Sequence, residues 1–344
     1  MKRLLLAVLL LTLPLTAFAQ WRDRDDLLTE DGTLFTIESV PSYEYPNVSA
    51  TSSRLLALTV QKQGGSKTVF VPESLQSGSN TSPVLAYDSD SGTLFIFWER
   101  GLNNHITSNL LFTSYQNGKW SAATSIENAD FHWCHNLRVG VTRKVEVDVD
   151  GKKTMVPGLT VHAIWWDYNP RGEWARYAML PIEKGTVNVA DIQMRELSQF
   201  FTARDMMPSG PVDALADDEV LRHPQLFESA SHESVDVIFG DMTSNAFRRV
   251  TLRTGSDGRL RVPLGVRGGT IGSPRFKADS SSRVSSISSP GSDKMVLYTQ
   301  DENSVRYVTF SNDQWSPARS IAMSDKITAG AAVDVIRRMV WDTE

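Results

Sequence analysis

The sequence predicts an all-β fold made of repeated antiparallel sheets. Three observations predict it. Helical periodicity is scarce along the 344 residues, whereas short β-branched and aromatic runs recur between Gly, Asn, Asp and Ser clusters. One hairpin segment occurs twice. Apolar strands repeatedly end on an acid.

The first element is an address. Lys2 and Arg3 precede an apolar run from Leu4 to Ala17 that Pro14 interrupts, and Ala17-Phe18-Ala19 stands ahead of Gln20. This is the three-part pattern of a secretory signal. The run falls short of the ~20 apolar residues of a spanning helix. Cleavage near Ala19 is therefore expected, with residues 20–344 forming one domain in the periplasm or outside the cell. Removing residues 1–19 takes away two cations and no acids, which lowers the formal charge from −5 to −7. That balance argues against a nucleic-acid partner held by bulk positive charge. No later segment is apolar enough over a sufficient length to predict a membrane span. Cys134 is the single cysteine, which excludes an internal disulfide framework.

The body reads as strands. Val84 to Tyr87 turns at Asp88-Ser89-Asp90-Ser91-Gly92 into Thr93 to Trp98. Asn109 to Tyr115 follows, and Asn117-Gly118 turns it into Trp120 to Ala123. The pattern returns at Val235 to Phe239 with Phe247 to Leu252, and at Met295 to Tyr298 with Val305 to Phe310. A longer copy turns at Asp150-Gly151 and returns through Leu159 to Trp166. Asn117-Gly118-Lys119-Trp120-Ser121 to Ile126 parallels Asn312-Asp313-Gln314-Trp315-Ser316 to Ile321, an internal repeat.

Each apolar second strand then ends on an acid: Glu99, Asp167, Asp241, Asp301 and Asp342. Only two strands fit between Ile327 and Asp342, and an orphan hairpin lies at Leu55–Val71. Pairing those terminal segments would complete one sheet and close a ring. The expected fold is thus a β-propeller of about five four-stranded blades, closed by N- and C-terminal strands. A six-bladed ring and a pair of β-sandwiches are the competing arrangements.

The repeats resemble the sialidase-like propellers that carry Asp-box repeats, whose motif runs Ser-x-Asp-x-Gly-x-Thr-Trp. Asp90 and Gly92 fall on its Asp and Gly, and Phe95 on its aromatic position. Asp88 stands for the Ser and Leu94 for the Thr. The box is structural in that family. The resemblance implies a propeller and, for the family's enzymes, three arginines around a carboxylate, an acidic proton donor and a tyrosine helped by a glutamate. The early Arg-Ile-Pro tripeptide is absent here, and Arg138, Arg222 and Arg275 sit in no identifying pattern. Sialidase chemistry is therefore not carried over.

Several residues could carry a function. The ring acids could cap their blades, bind a cation or work as a carboxylate pair. His132-Trp133-Cys134-His135 is dense in soft ligands, but strand neighbours point to opposite faces and no second cluster completes a metal site. No metal or cofactor is expected. Trp133 and His135, Arg222-His223 and Asn104-His105 are polar and aromatic groups suited to a sugar. The ligand-binding candidates are Glu99, Asn104, His105, Trp133, His135, Asp167, Arg222, His223, Asp241 and Asp301. The first expectation is a binding module for a glycan or a protein partner. Its rival is a glycoside hydrolase or lyase that uses acids at the blade rim.

Overall fold

The computed structural model describes residues 24–29, 31–76, 78–101, 108–127, 133–169, 172–200, 224–229, 231–241, 246–256, 260–271, 284–288, 294–300, 303–311, 314–323, and 332, 335, 336, 339 and 340. They are overwhelmingly β. Five antiparallel meanders follow one another along them. The first holds β1 (Arg24–Leu28), β2 (Leu34–Pro41), β3 (Arg54–Lys62) and β4 (Gly65–Phe70). The second holds β5 (Ser79–Asp88), β6 (Thr93–Gly101) and β7 (Ser108–Gln116), with an outer strand split into β8 (Lys119–Trp120) and β9 (Thr124–Glu127). The third holds β10 (Trp133–Val149), β11 (Lys152–Asn169) and β12 (Gly172–Glu183), edged by β13 (Thr186–Val187) and β14 (Gln193–Glu196). The fourth holds β15 (Gln225–Glu228), β16 (Val235–Asp241), β17 (Ala246–Ser256) and β18 (Arg261–Ile271). The fifth holds β19 (Val284–Ser288), β20 (Met295–Gln300) and β21 (Ser304–Ser311), edged by β22 (Gln314–Trp315) and β23 (Arg319–Ala322).

Strand composition sets the packing. The middle strands are apolar on both faces because each inner meander is covered on both sides. In β6, Leu94, Ile96 and Trp98 join Phe35, Ile37, Leu56 and Leu58 of the first meander. Phe95 and Phe97 point the other way, into Val161, Ala163 and Trp165 of the third. In β11 the alternation repeats: Ile164 and Trp166 join Val235, Val237 and Phe239 of the fourth. Arg249 of the fourth meander lies over the Phe310 ring of the fifth, 5.5 Å from its centroid. Short parallel bridges add to this, Arg54 with Ser79 and Val145–Glu146 with Thr254–Gly255. The hydrogen-bonded sheets of the described residues therefore run across meanders, with nine, nine and five strands.

The turns and the repeat follow the sequence reading. Asn117 and Gly118 have φ of 51° and 79°, and Asp150 and Gly151 have 54° and 80°, the left-handed pair that a two-residue hairpin demands. The duplicated segment is the same device used twice. Trp120 packs tilted against Tyr115 with ring centroids 4.6 Å apart, and Trp315 likewise against Phe310 at 4.7 Å. The next residue, Ser121 or Ser316, donates its amide to the carbonyl of Ser114 or Thr309 and accepts that partner's amide on its hydroxyl at 2.9 Å in both copies.

The expected closure is overturned. The Leu55–Val71 segment is bonded to β2 and completes the first meander, with β1 and β2 as its other strands. Ala332, Val335, Ile336, Met339 and Val340 are helical. The reason is a misread period: Ala332, Ile336 and Val340 repeat every fourth residue, which is one helix face. That face packs on Val296, Val305 and Tyr307 of the fifth meander, and Lys294 Nζ donates to the Val340 carbonyl at 3.3 Å. The far face of the first meander is finished differently. Arg24 pairs with Asp26 and Glu38, both at 3.0 Å, Thr36 donates to Asp26, and Thr59 meets Thr68.

Backbone amides at the first strands find side-chain acceptors across meander boundaries. Leu85 N donates to Asp25 Oδ2 at 2.8 Å, and Val141 N to Glu228 Oε1 at 2.7 Å. Glu228→Ala is expected to lower unfolding stability by about 1–3 kcal/mol by orphaning the Val141 amide, with Glu228→Gln retaining most of it, in urea titrations. The helix makes a second outcome specific. Ile336→Ala should cost about 2–5 kcal/mol, whereas Val335→Ala, at a residue 40% exposed, should stay within about 0.5 kcal/mol. A strand alternating through this segment would bury Val335 instead.

Candidate functional site

In an antiparallel meander, the link from second to third strand and the link to the next meander emerge at one end. Contacts align this end across four meanders. The start of β3 pairs with the start of β5 through Arg54 and Ser79. Glu99, near the end of β6, accepts from Leu137 N near the start of β10 at 3.0 Å. β10 runs parallel to β17, and β17 is antiparallel to β16, which orients the fourth meander likewise.

The end-of-strand acids are firmly engaged where their side chains are described. Glu99 is 7% exposed and holds the Leu137 amide of the next meander. Asp167 is fully buried and takes Arg176 Nε at 3.2 Å, while the same guanidinium reaches Glu196 at 3.4 Å. Asp167 lies opposite Cys134 in register, so the two acids meet β10 three residues apart, about 10 Å along a strand. Among the described residues, Glu99 and Asp167 thus tie strands and meanders together.

Trp133 and His135 begin β10, opposite Tyr168 and Trp166, and Asp241 ends β16, opposite Ala246. Their side chains lie outside the described residues, as do Asn104, His105, Arg222, His223 and Asp301 altogether. The connections that contain Asn104-His105 and Arg222-His223 join strand ends at this same end. Among the described residues, no three His, Cys, Asp or Glu side chains group as metal ligands.

Sequence reading missed a second repeat. Arg176 pairs with Trp165, Arg248 with Phe239 and Arg306 with Thr299. Each arginine thus stands opposite the residue two before a terminal acid, Asp167, Asp241 or Asp301. The loop between acid and arginine differs in length each time, so no fixed spacing shows the relation. It emerges only once the strands are paired.

Two buried polar clusters hold the meanders beneath this end. Asn80 donates to the carbonyls of Arg54 at 2.9 Å and Ser74 at 3.1 Å, and accepts from Trp98 Nε1 at 2.9 Å. That wiring joins the first two meanders. Between the third and fourth, His162 bonds Thr142 at 2.9 Å and Tyr177 at 2.8 Å, with Thr254 at 3.4 Å. Burial lowers the His162 pKa to about 3 and raises that of Tyr177.

The turn that carries the Asp-box resemblance is structural here. Asp88 accepts from Asp90 N at 3.1 Å and from the Ser91 hydroxyl at 2.5 Å, and Gly92 has φ of 68°. Asp88, in the position of the motif's Ser, does the capping. Phe95 is buried in the core.

No family model and no curated protein matches the chain. Solved structures do. The α-L-arabinanase of Penicillium chrysogenum is 13% identical over 85% of this chain and 74% of that one, with a TM-score of 0.43. A putative exo-β-1,3-galactanase from Bifidobacterium bifidum is 9% identical over 89% and 92%, at 0.42. The NanB sialidase of Streptococcus pneumoniae is 13% identical over 91% and 55%, at 0.31. With TM-scores below 0.5, these likenesses carry no argument for this chain.

The buried histidine generates a pH prediction. Its folded pKa of about 3 lies below the ordinary 6.5, so the unfolded chain takes up the proton first. The associated stability is complete above pH 6.5 and is lost as pH falls towards about 3, by at most about 1.4 kcal/mol per pH unit. Urea midpoints at pH 7, 5 and 4 should trace this slope, and His162→Gln should flatten it. An unchanged slope in the variant would assign the acid sensitivity elsewhere.

Proposed function

We propose that the chain is an exported, carbohydrate-directed β-propeller. The five meanders are its blades, residues 20–344 are one domain, and residues 1–19 are removed after Ala19. The ligand face is the end at which second strands finish and first strands begin. One observation carries the reading: acids and arginines recur there at equivalent register, and the polar and aromatic candidates belong to the same end. Hydroxyl-rich ligands are recognised by such a mixture of carboxylate, guanidinium, amide and ring.

A pure binding module would retain a glycan without cutting it, whereas a glycoside hydrolase would cut it, and the geometry serves either form. Glu99 and Asp167 are assigned to the scaffold, since each already holds a partner within the fold. Contact with the ligand then falls to Asn104, His105, Trp133, His135, Arg222, His223, Asp241 and Asp301.

The test uses protein starting at Gln20 with arabinan, β-1,3-galactan and a sialylated glycan panel. Binding is read by affinity electrophoresis and cleavage by release of reducing ends. At least one glycan should be retained or cut. Asp241→Ala or Asp301→Ala should lower that activity more than tenfold at unchanged Tm. Glu99→Gln and Asp167→Asn should lower Tm and leave the folded protein active. Silence against every glycan overturns the reading and leaves a protein ligand in its place.

A further inference from the structure

We propose that the loop spanning 42–53 carries a second glycan contact on the first meander, with Tyr43 as its stacking ring. This rests on the carbohydrate reading above and names a subsite outside the residues that reading uses. The loop links β2 to β3, so it emerges at the end already assigned to the ligand. Its ends are tied by Ser42 N donating to the Ser53 carbonyl at 3.0 Å. Inside it, a single 3₁₀ turn covers Ser42–Glu44, Tyr45 N donates to Ser42 O, and Val48 N to Tyr45 O. From below, Thr51 N donates to Leu75 O at 2.9 Å, and the Ser52 hydroxyl to Ser74 O at 2.6 Å. Tyr45 packs edge-on against Phe70 at 5.0 Å. Pro41 and Pro46 fix two more backbone torsions.

The loop is therefore a compact closed Ω, rigid by construction. Upon it Tyr43 is 79% exposed, the greatest exposure of any large hydrophobic side chain among the described residues. Within the same loop, Tyr45 is only partly exposed. A ring presented by a pinned backbone loses little conformational entropy on contact with a ligand. Its flat face suits the C–H face of a sugar ring, and the exposed Glu44 and Asn47 beside it supply acceptors and donors for hydroxyls.

The test is affinity electrophoresis in the polysaccharide that the wild type binds best, with Tyr43→Ala and Tyr43→Phe. Tyr43→Ala should raise the dissociation constant about three- to tenfold. Tyr43→Phe should bind as the wild type, and both variants should keep the wild-type Tm. Equal retention of wild type and Tyr43→Ala overturns this inference while leaving the carbohydrate reading intact. Retention of no protein at all overturns both.

Discussion

The fold depends on how the first strand of each meander answers its open edge. Such a strand has an antiparallel neighbour along one side and at most a short parallel bridge on the other, as at Ser79 and Val145–Glu146. The remaining amides on that side must be satisfied otherwise. Here the acceptors come from neighbouring meanders: Asp25 for Leu85, Glu99 for Leu137 and Glu228 for Val141. A carboxylate suits the task because it accepts without needing to donate. Burial opposes it, which is why the Glu228 pKa is raised despite the Val141 amide and the nearby Arg143. The gain is register. An amide-to-carboxylate bond across a boundary fixes one meander against the next where apolar packing alone would let it slide.

The same logic explains how the row of meanders ends. Inner meanders need two apolar faces, and β6 and β11 supply them. The first meander turns a polar face outward, with Arg24, Asp26, Glu38, Thr59 and Thr68 satisfying one another. Exposed ion pairs add little stability, but a polar face needs no cover. The fifth meander retains apolar residues on its outer side, and the helical Ala332, Ile336 and Val340 cover them. The two terminal faces are thus finished by different means, and neither requires a shared strand.

This outcome shows what the sequence could disclose. Strand alternation, the Asn-Gly and Asp-Gly turns and the duplicated Trp-Ser hairpin were legible because each depends on neighbours in the chain. The strand-end acids were legible as a repeat, but not their partners. Leu137 lies 38 residues from Glu99, and the Asp167–Arg176 relation depends on strand pairing rather than spacing. The C-terminal segment was misread because Val333, Val335 and Met339 interleave with the buried Ala332 and Ile336 and the half-buried Val340. Such a run satisfies a strand pattern and a helix pattern at once, and only the surface it packs against decides between them.

The two ends of the meanders are built for different purposes. One end is closed by tight turns such as Asn117-Gly118, Asp150-Gly151 and Lys184-Gly185, whose left-handed backbones leave no room for variation. The other carries the longer connections, among them 42–53, 71–78, 102–107 and 201–223. A two-residue turn is fixed by its geometry, whereas a longer link can change in sequence without disturbing register. The ligand site proposed above is accordingly put at the second end. There it must coexist with the acids that hold the meanders together. Glu99 and Asp167 show the scaffold drawing on the same residue type that glycan chemistry would use, so an acid at this rim acquires its role from its partner, not from its position in the repeat.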